Sequence, residues 1–443
     1  MLTLQACDNF VETDPPGSQL SGEIIFEDSR TANAAMAGIY VTIRDNGLLS
    51  GSITGLSYNL GLYGDELDYY DSSAPSYYYT NALYSDETGI LDTWQQSYKQ
   101  IYAINAVIEG IDASTVLDQA VKDQLSGEAH FLRAMIHFYL TGLYGNIPYV
   151  STTDYRTNAV ITKMMHDQLV AAVITDLEKA VAKLPEDYSE PERIRPNRFA
   201  AYALLSRVLL YNGDWQGASD AASAVINQGQ YSIVSLPDQV FLKESPETLW
   251  QFMPLVQGDN TNEGHTFIFE SGPPPRVALS SHLVNAFEPG DLRKDSWIKM
   301  VTDGTSQWYH SFKYKENTNT GTSKEYSVIL RLAEQYLIRA EARAQQGDII
   351  GARQDLNVIR SRAGLEQTEA TDQQELLVAI QQERRVELFT EMGHRFFDLK
   401  RTGRLDGILS SVKPGWNTTD ELWPLPSVEL DANPNLNPQN PGY

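Results

Sequence analysis

From Leu376 to Leu399 the apolar residues Leu376, Leu377, Ile380, Leu388, Phe389, Met392, Phe396 and Leu399 recur at three- and four-residue steps, a spacing that predicts one long helix with an apolar face. The positions between them are charged, and the run ERRVELFTEMGHRFFDLKRTGR over 383–404 alternates in sign. Glu391 stands one turn before Arg395, the favourable order for a helical ion pair, and Gly393 between them marks a bend or a close backbone contact. Two readings fit these residue types: a buried helix ion-paired to its neighbours, or an arginine-rich anion site.

The same periodicity predicts helices from Ser29 to Ile43, Ile90 to Ile111, Leu117 to Tyr144 and Thr162 to Leu184, with Asn146 and Pro148 ending the third. Short joints between the last three suggest helical hairpins. Two later blocks repeat at an offset of 134 residues: Tyr202 with Tyr336, Gly213-Asp214 with Gly347-Asp348, and Gly217-Ala218 with Gly351-Ala352. In each, a helix ends on a left-handed glycine and aspartate caps the next one. Small residues after the turn then allow close helix approach, which is tetratricopeptide-like packing.

Two stretches break the pattern. Residues 44–89 dissolve into glycine, serine and tyrosine. Residues 230–324 carry prolines at 237, 246, 254, 273, 274, 275 and 289, with short strand-like pieces at Thr248–Met253 and Thr266–Phe269. The expected architecture is a single mainly α domain over 1–443. Its helical scaffold spans 29–43, 90–229 and 325–415. An irregular loop-rich lobe with short β pieces spans 44–89 and 230–324, and an extended strap spans 416–443. The prolines of ELWPLPSVELDANPNLNPQNPGY prevent a long helix there, while Leu422, Trp423 and Leu425 are too apolar for a free tail.

Charge narrows the partners. With 34 Lys and Arg against 58 Asp and Glu, the 443-residue chain carries a net charge of −24, which repels nucleic acid and anionic lipid. The sequence holds no dinucleotide, Walker, zincin, nucleophile-elbow or Cys-x-x-Cys motif, so no cofactor is implied. His130 and His137 sit among core residues, and the acids Asp65, Glu66, Asp68 and Asp71 lack EF-hand spacing, so neither set reads as a metal site. The single cysteine, Cys7, follows Leu4-Gln5-Ala6, the apolar and small residues of a bacterial lipoprotein processing site. That reading makes Cys7 a lipidation point and requires a signal segment ahead of the six residues that precede it.

What remains is aromatic. Tyrosine is unusually frequent, 24 residues against 14 Phe and 7 Trp, and the two irregular stretches hold Tyr69, Tyr70, Tyr77, Tyr78, Tyr79 and Tyr84, then Trp297, Trp308 and Tyr309. Sugar rings present a face of C–H bonds that packs on an aromatic plane, and their hydroxyls need amide and carboxyl partners such as Asn81, Asn260 or Asn262. Tyr69, Tyr70, Tyr77, Tyr78, Tyr79, Trp297, Trp308 and Tyr309 are therefore the predicted ligand-binding residues. Paired carboxylates for glycoside hydrolysis are compatible with so many acids.

Several blocks together resemble the SusD/RagB family of outer-membrane nutrient-binding lipoproteins. They are GEAHFLRAMIHFYLTGLYGNIPYV from Gly127, AAYALLSRVLLYNGDWQGA from Ala200, ILRLAEQYLIRAEARAQQGD from Ile329, DLNVIRSRAGL from Asp355, the charged run from Glu383, and the C-terminal LWPLPSVELDANPNLNPQNPGY. The leader CDNFVETDPPG resembles the family's mature start. The resemblance implies a tetratricopeptide-like scaffold without catalytic activity, lipid-anchored at the cell surface. It also implies an oligosaccharide ligand, or in some relatives a peptide, and a SusC-like TonB-dependent transporter as partner. A helical glycosidase and a general tetratricopeptide scaffold are the rival readings. No binding residue is carried over from the resemblance.

Overall fold

The computed structural model describes residues 25–443; Cys7 and the leader lie outside them. The longer helices are α1 (Ser29–Asp45), α2 (Leu56–Tyr63), α3 (Thr88–Ala113), α4 (Gln119–Tyr144), α5 (His166–Lys183), α6 (Arg198–Tyr211), α7 (Trp215–Ile226), α8 (Leu332–Gln345), α9 (Ile349–Arg362), α10 (Gln373–Glu387), α11 (His394–Arg401) and α12 (Leu405–Val412). Each helix from α3 to α9 packs on the next, so the scaffold is a row of helical hairpins, with α7 and α8 adjacent although about a hundred residues of largely irregular chain separate them. Leucine, valine and alanine at helical spacing, such as Leu204, Val208, Ala333, Leu337 and Ala340, are fully buried between them.

The sequence repeat is a pair of equivalent corners. Gly213 and Gly347 adopt φ of +76° and +82°, and Asp214 and Asp348 accept the N–H of Gly217 and Gly351, each at 2.9 Å. A Cβ on Gly217 would lie 2.6 Å from its own capping carboxylate and one on Gly351 2.1 Å. These glycines therefore make room for the cap, and the close helix approach belongs to the buried Ala218 and Ala352 beside them.

Three two-stranded antiparallel sheets occur among the described residues. They pair β1 (Leu67–Tyr69) with β3 (Val277–Leu279), β2 (Thr248–Phe252) with β6 (Ser327–Arg331), and β4 (Ile298–Thr302) with β5 (Gln307–Ser311). The β2–β6 pair is buried and joins the lobe to the scaffold, since β6 runs straight into α8. Two expectations fail here. Thr266–Phe269 is not a strand: Thr261 caps a short helix over Asn262–Phe267. Residues 44–89 are not all loop, because every residue of α2 is buried, and a helix apolar on all sides carries no amphipathic signal.

The charged run is two helices rather than one. After α10 the chain turns through Thr390, Met392 and Gly393, all with positive φ, before α11 begins. A Cβ on Gly393 would lie 2.2 Å from Leu60 Cδ1, so the predicted close contact is real and its partner is α2. The expected Glu391–Arg395 pair does not form, because the turn parts them. Arg395 donates to Asp65 at 2.8 Å, and Glu391 accepts from Arg331 at 2.8 Å and also pairs with Lys313. Arg384, Arg385, Arg395 and Arg401 are largely buried and ion-paired while Arg404 is exposed, which is the structural reading of the run and not an anion site.

Residues 416–443 lie along the ends of α3 and α4 with short helical turns at 418–421, 427–432 and 434–436. The Trp423 N–H donates to the Leu143 carbonyl at 2.8 Å, and Asn440 Nδ2 donates to the carbonyls of Tyr144 and Trp423 at 2.9 and 2.8 Å.

Candidate ligand-binding site

Pairing of β1 with β3 brings the two irregular stretches together. Tyr69 stands opposite Val277 and Asp68 opposite Ala278, and the Tyr70 N–H donates to the Arg276 carbonyl at 2.7 Å. Alternation along the strand sends Asp68 and Tyr70 to one side and Tyr69 to the other. β3 lies against β5, where Trp308 packs with Phe269, Ala278 and Val301. The indole rests on Gly272: a Cβ there would come within 2.0 Å of Trp308 Cζ3, so any larger residue displaces the ring.

This seating leaves the Trp308 indole near the Tyr70 hydroxyl. Burial and the nearby Asp68 carboxylate push that hydroxyl's pKa up, so it stays neutral and can both donate and accept. Tyr70 is 39% exposed, and Trp308 and Tyr69 are half-buried. Tyr79 closes the group, its ring centroid 6.3 Å from that of Tyr69 and its hydroxyl donating to Asp68 Oδ1 at 3.4 Å. The Lys413 ammonium lies 4.0 Å from the Tyr79 centroid and donates to the Leu62 carbonyl at 2.7 Å, covering one face of that ring.

Tyr70, Tyr79 and Trp308 are thus neighbours, Tyr69 lies on the other side of β1 against the Tyr79 ring, and the remaining predicted residues stand apart. Trp297 is wholly buried and spends its N–H on the Pro237 carbonyl at 2.8 Å. Tyr309 follows Trp308 in β5, so it points through the opposite face, towards the core that holds Trp297. Tyr78 packs against Trp423 with centroids 5.3 Å apart, and Tyr77 packs edge-on against Tyr84 at 5.1 Å. Both turn towards the scaffold core rather than the platform. Consecutive tyrosines in a turn cannot all face one way, and sequence shows no sign of which does.

The platform stands on the charged helices. Asp65, two residues before β1, accepts from Arg395 Nε and Nη2, each at 2.8 Å, and from Arg385 at 3.0 Å. Burial alone would raise its pKa; the two guanidinium groups hold it below the usual carboxylate range. Ser280, just past β3, donates its hydroxyl to the Asp65 carbonyl at 2.6 Å and its N–H to the Glu66 carbonyl at 2.8 Å. Asp65 is thus a structural anchor. Glu66 is buried beneath the site, and burial together with Asp65 pushes its pKa up to about 7.

Beside the rings lies a cleft of about 350 Å³ lined by Ser52, Ile53, His265, Phe269 and Arg276 among others. Sequence reasoning passed over Arg276, Phe269 and Lys413. None belongs to a motif, and only the β1–β3 pairing reveals the first two. Among the described residues no group of acids, histidines or cysteines is arranged to hold a metal ion. His130 Nδ1 faces Asp176 at 2.9 Å and His137 stacks on Tyr149 at 4.4 Å.

Two family models match this chain: one described as SusD family over residues 294–443, the other as starch-binding associating with outer membrane over residues 63–210. The chain belongs to the SusD family. Two SusD-like proteins of Formosa agariphila are 24% and 27% identical to it, covering 97% and 100% of this chain and 95% and 98% of their own length. Among solved structures, a SusD superfamily protein of Bacteroides vulgatus superposes with a TM-score of 0.81 at 20% identity, covering 94% of this chain and 99% of that one. A SusD-like carbohydrate-binding protein of Bacteroides fragilis gives 0.80 at 21% identity, with 94% and 100% covered. A laminarin-binding SusD-like protein gives 0.78 at 21%, with 94% and 99% covered. The mainly α, tetratricopeptide-like architecture is therefore the SusD fold, and no helix among the described residues is long and apolar enough to cross a membrane.

Proposed function

We propose that this SusD-family protein is a glycan receptor of the cell surface that captures oligosaccharides without cleaving them. The observation that carries the reading is the proximity of Tyr70 and Trp308: two separate stretches contribute neighbouring, solvent-reaching rings close to a cleft lined by Phe269, Arg276 and His265. A sugar's C–H face would lie on the rings while its hydroxyls bond Asp68, Arg276 and His265. One solved neighbour is a laminarin-binding protein and another a carbohydrate-binding protein, which supports a saccharide ligand.

Cys7 would hold the receptor on the outer membrane through a lipid anchor, and a SusC-like TonB-dependent transporter would take up the bound glycan. Holding receptor and transporter in one plane raises their effective concentration, so modest affinity suffices. Calorimetry against laminari- and malto-oligosaccharides tests the reading: binding with no product after prolonged incubation is the expected outcome. Binding from a peptide library but from no saccharide sinks it, and released product converts the receptor into a hydrolase.

A further inference from the structure

A groove of about 640 Å³ runs between α3 and the C-terminal segment and shares no residue with the Tyr70–Trp308 platform. Trp94, Tyr98 and Tyr102 line it at four-residue steps along α3, a rise of about 6 Å per ring. The row passes from core to solvent: Trp94 is buried with its centroid 4.8 Å from that of Tyr98. Tyr98 is half-buried and donates its hydroxyl to the Pro148 carbonyl at 2.9 Å, and Tyr102 is 54% exposed.

The rim is polar and incompletely satisfied. Asn158 Nδ2 donates to the Thr152 carbonyl at 2.8 Å, yet its Oδ1 is buried without a hydrogen-bond partner among the described residues. Glu429 Oε1 accepts from Gln95 at 2.9 Å, leaving its second oxygen for another donor. An aliphatic occupant would leave both acceptors unmatched, and a buried acceptor without a donor is costly. A saccharide supplies hydroxyl donors to both while its C–H face covers the exposed Tyr102 ring.

We infer that this groove is a second saccharide site, bound independently of the platform. The inference rests on the glycan-receptor reading, and the test separates the two. Laminarihexaose and maltohexaose are titrated calorimetrically into the wild-type chain and into Tyr102→Ala, Tyr102→Phe and Trp308→Ala, with thermal midpoints checking the fold. Two sites are expected on the wild type. Tyr102→Ala weakens one of them about tenfold, Tyr102→Phe retains it, and Trp308→Ala weakens the other. A single site abolished by Trp308→Ala and indifferent to Tyr102→Ala overturns the groove and leaves the platform. A single site with the reverse response keeps the groove and removes the platform. Absence of heat with both saccharides at millimolar concentration overturns both.

Discussion

Glu387 shows how the densest charge in the sequence resolves at the scale of single residues. Its carboxylate meets Arg293, Arg331 and Arg362, all buried, and their charges hold its pKa well below the usual range against the cost of burial. A buried ion pair replaces solvation rather than adding to it, so losing one member is far worse than never having had either. Glu387→Ala is expected to cost about 3–5 kcal/mol, read as a lowered midpoint in urea unfolding. Glu66 behaves oppositely. Its folded-state pKa of about 7 lies above the ordinary 4.5, so its contribution is complete below pH 4.5 and is lost as pH rises through 7. Glu66→Gln keeps an acceptor for the Thr390 N–H, which now bonds Glu66 Oε2 at 3.3 Å. The variant should match the wild type near pH 5 and melt several degrees higher at pH 8, the gain being about 1–3 kcal/mol. Equal pH dependence of the two melting curves would refute this. Sequence announced that the Glu383–Arg404 run was buried or anion-binding. It did not reveal the pairings, because ion pairs between distant helices are set by packing.

At the scale of elements, periodicity located the helices and missed the breaks. α3 and α4 lie within two residues of their expected ends because their apolar faces and caps agree. The long helix expected through Leu376–Leu399 failed because the turn at 388–393 preserves the apolar spacing while breaking the helical backbone at Thr390, Met392 and Gly393. Gly393, with φ of +71° and no room for a Cβ against Leu60, is the residue that permits this. Gly393→Ala is predicted to destabilise by about 2–4 kcal/mol, the left-handed strain and the overpacking together. Because the turn presents Arg395 to Asp65, glycan affinity should fall with it when measured below the melting range. Retained stability would show that the turn can relax.

For the whole molecule, the scaffold was legible, and the grouping of the candidate aromatic residues was not. The repeat at Gly213-Asp214 and Gly347-Asp348 disclosed the hairpin architecture, whereas the choice among aromatic residues depended on strand pairing between distant segments, which leaves no local mark. Trp297 and Trp308 make the contrast measurable. Trp308→Ala should reduce saccharide affinity about tenfold while lowering the melting temperature less than Trp297→Ala, since its ring is only half-buried. Trp297→Ala empties a fully buried position and should cost about 3–5 kcal/mol of stability. If Trp308→Ala unfolds the chain instead, the ring is a core residue and the platform fails.

The seating of Trp308 against Gly272 bears on how a sugar chain would be held. A half-buried indole packed on Phe269, Ala278 and Val301 would support a passing polymer as a floor rather than clamp it between two rings. A floor without a ceiling has no need of chain ends. Such a receptor would grip a long polysaccharide anywhere along its length, and blocking the reducing terminus with a bulky label would leave its affinity unchanged.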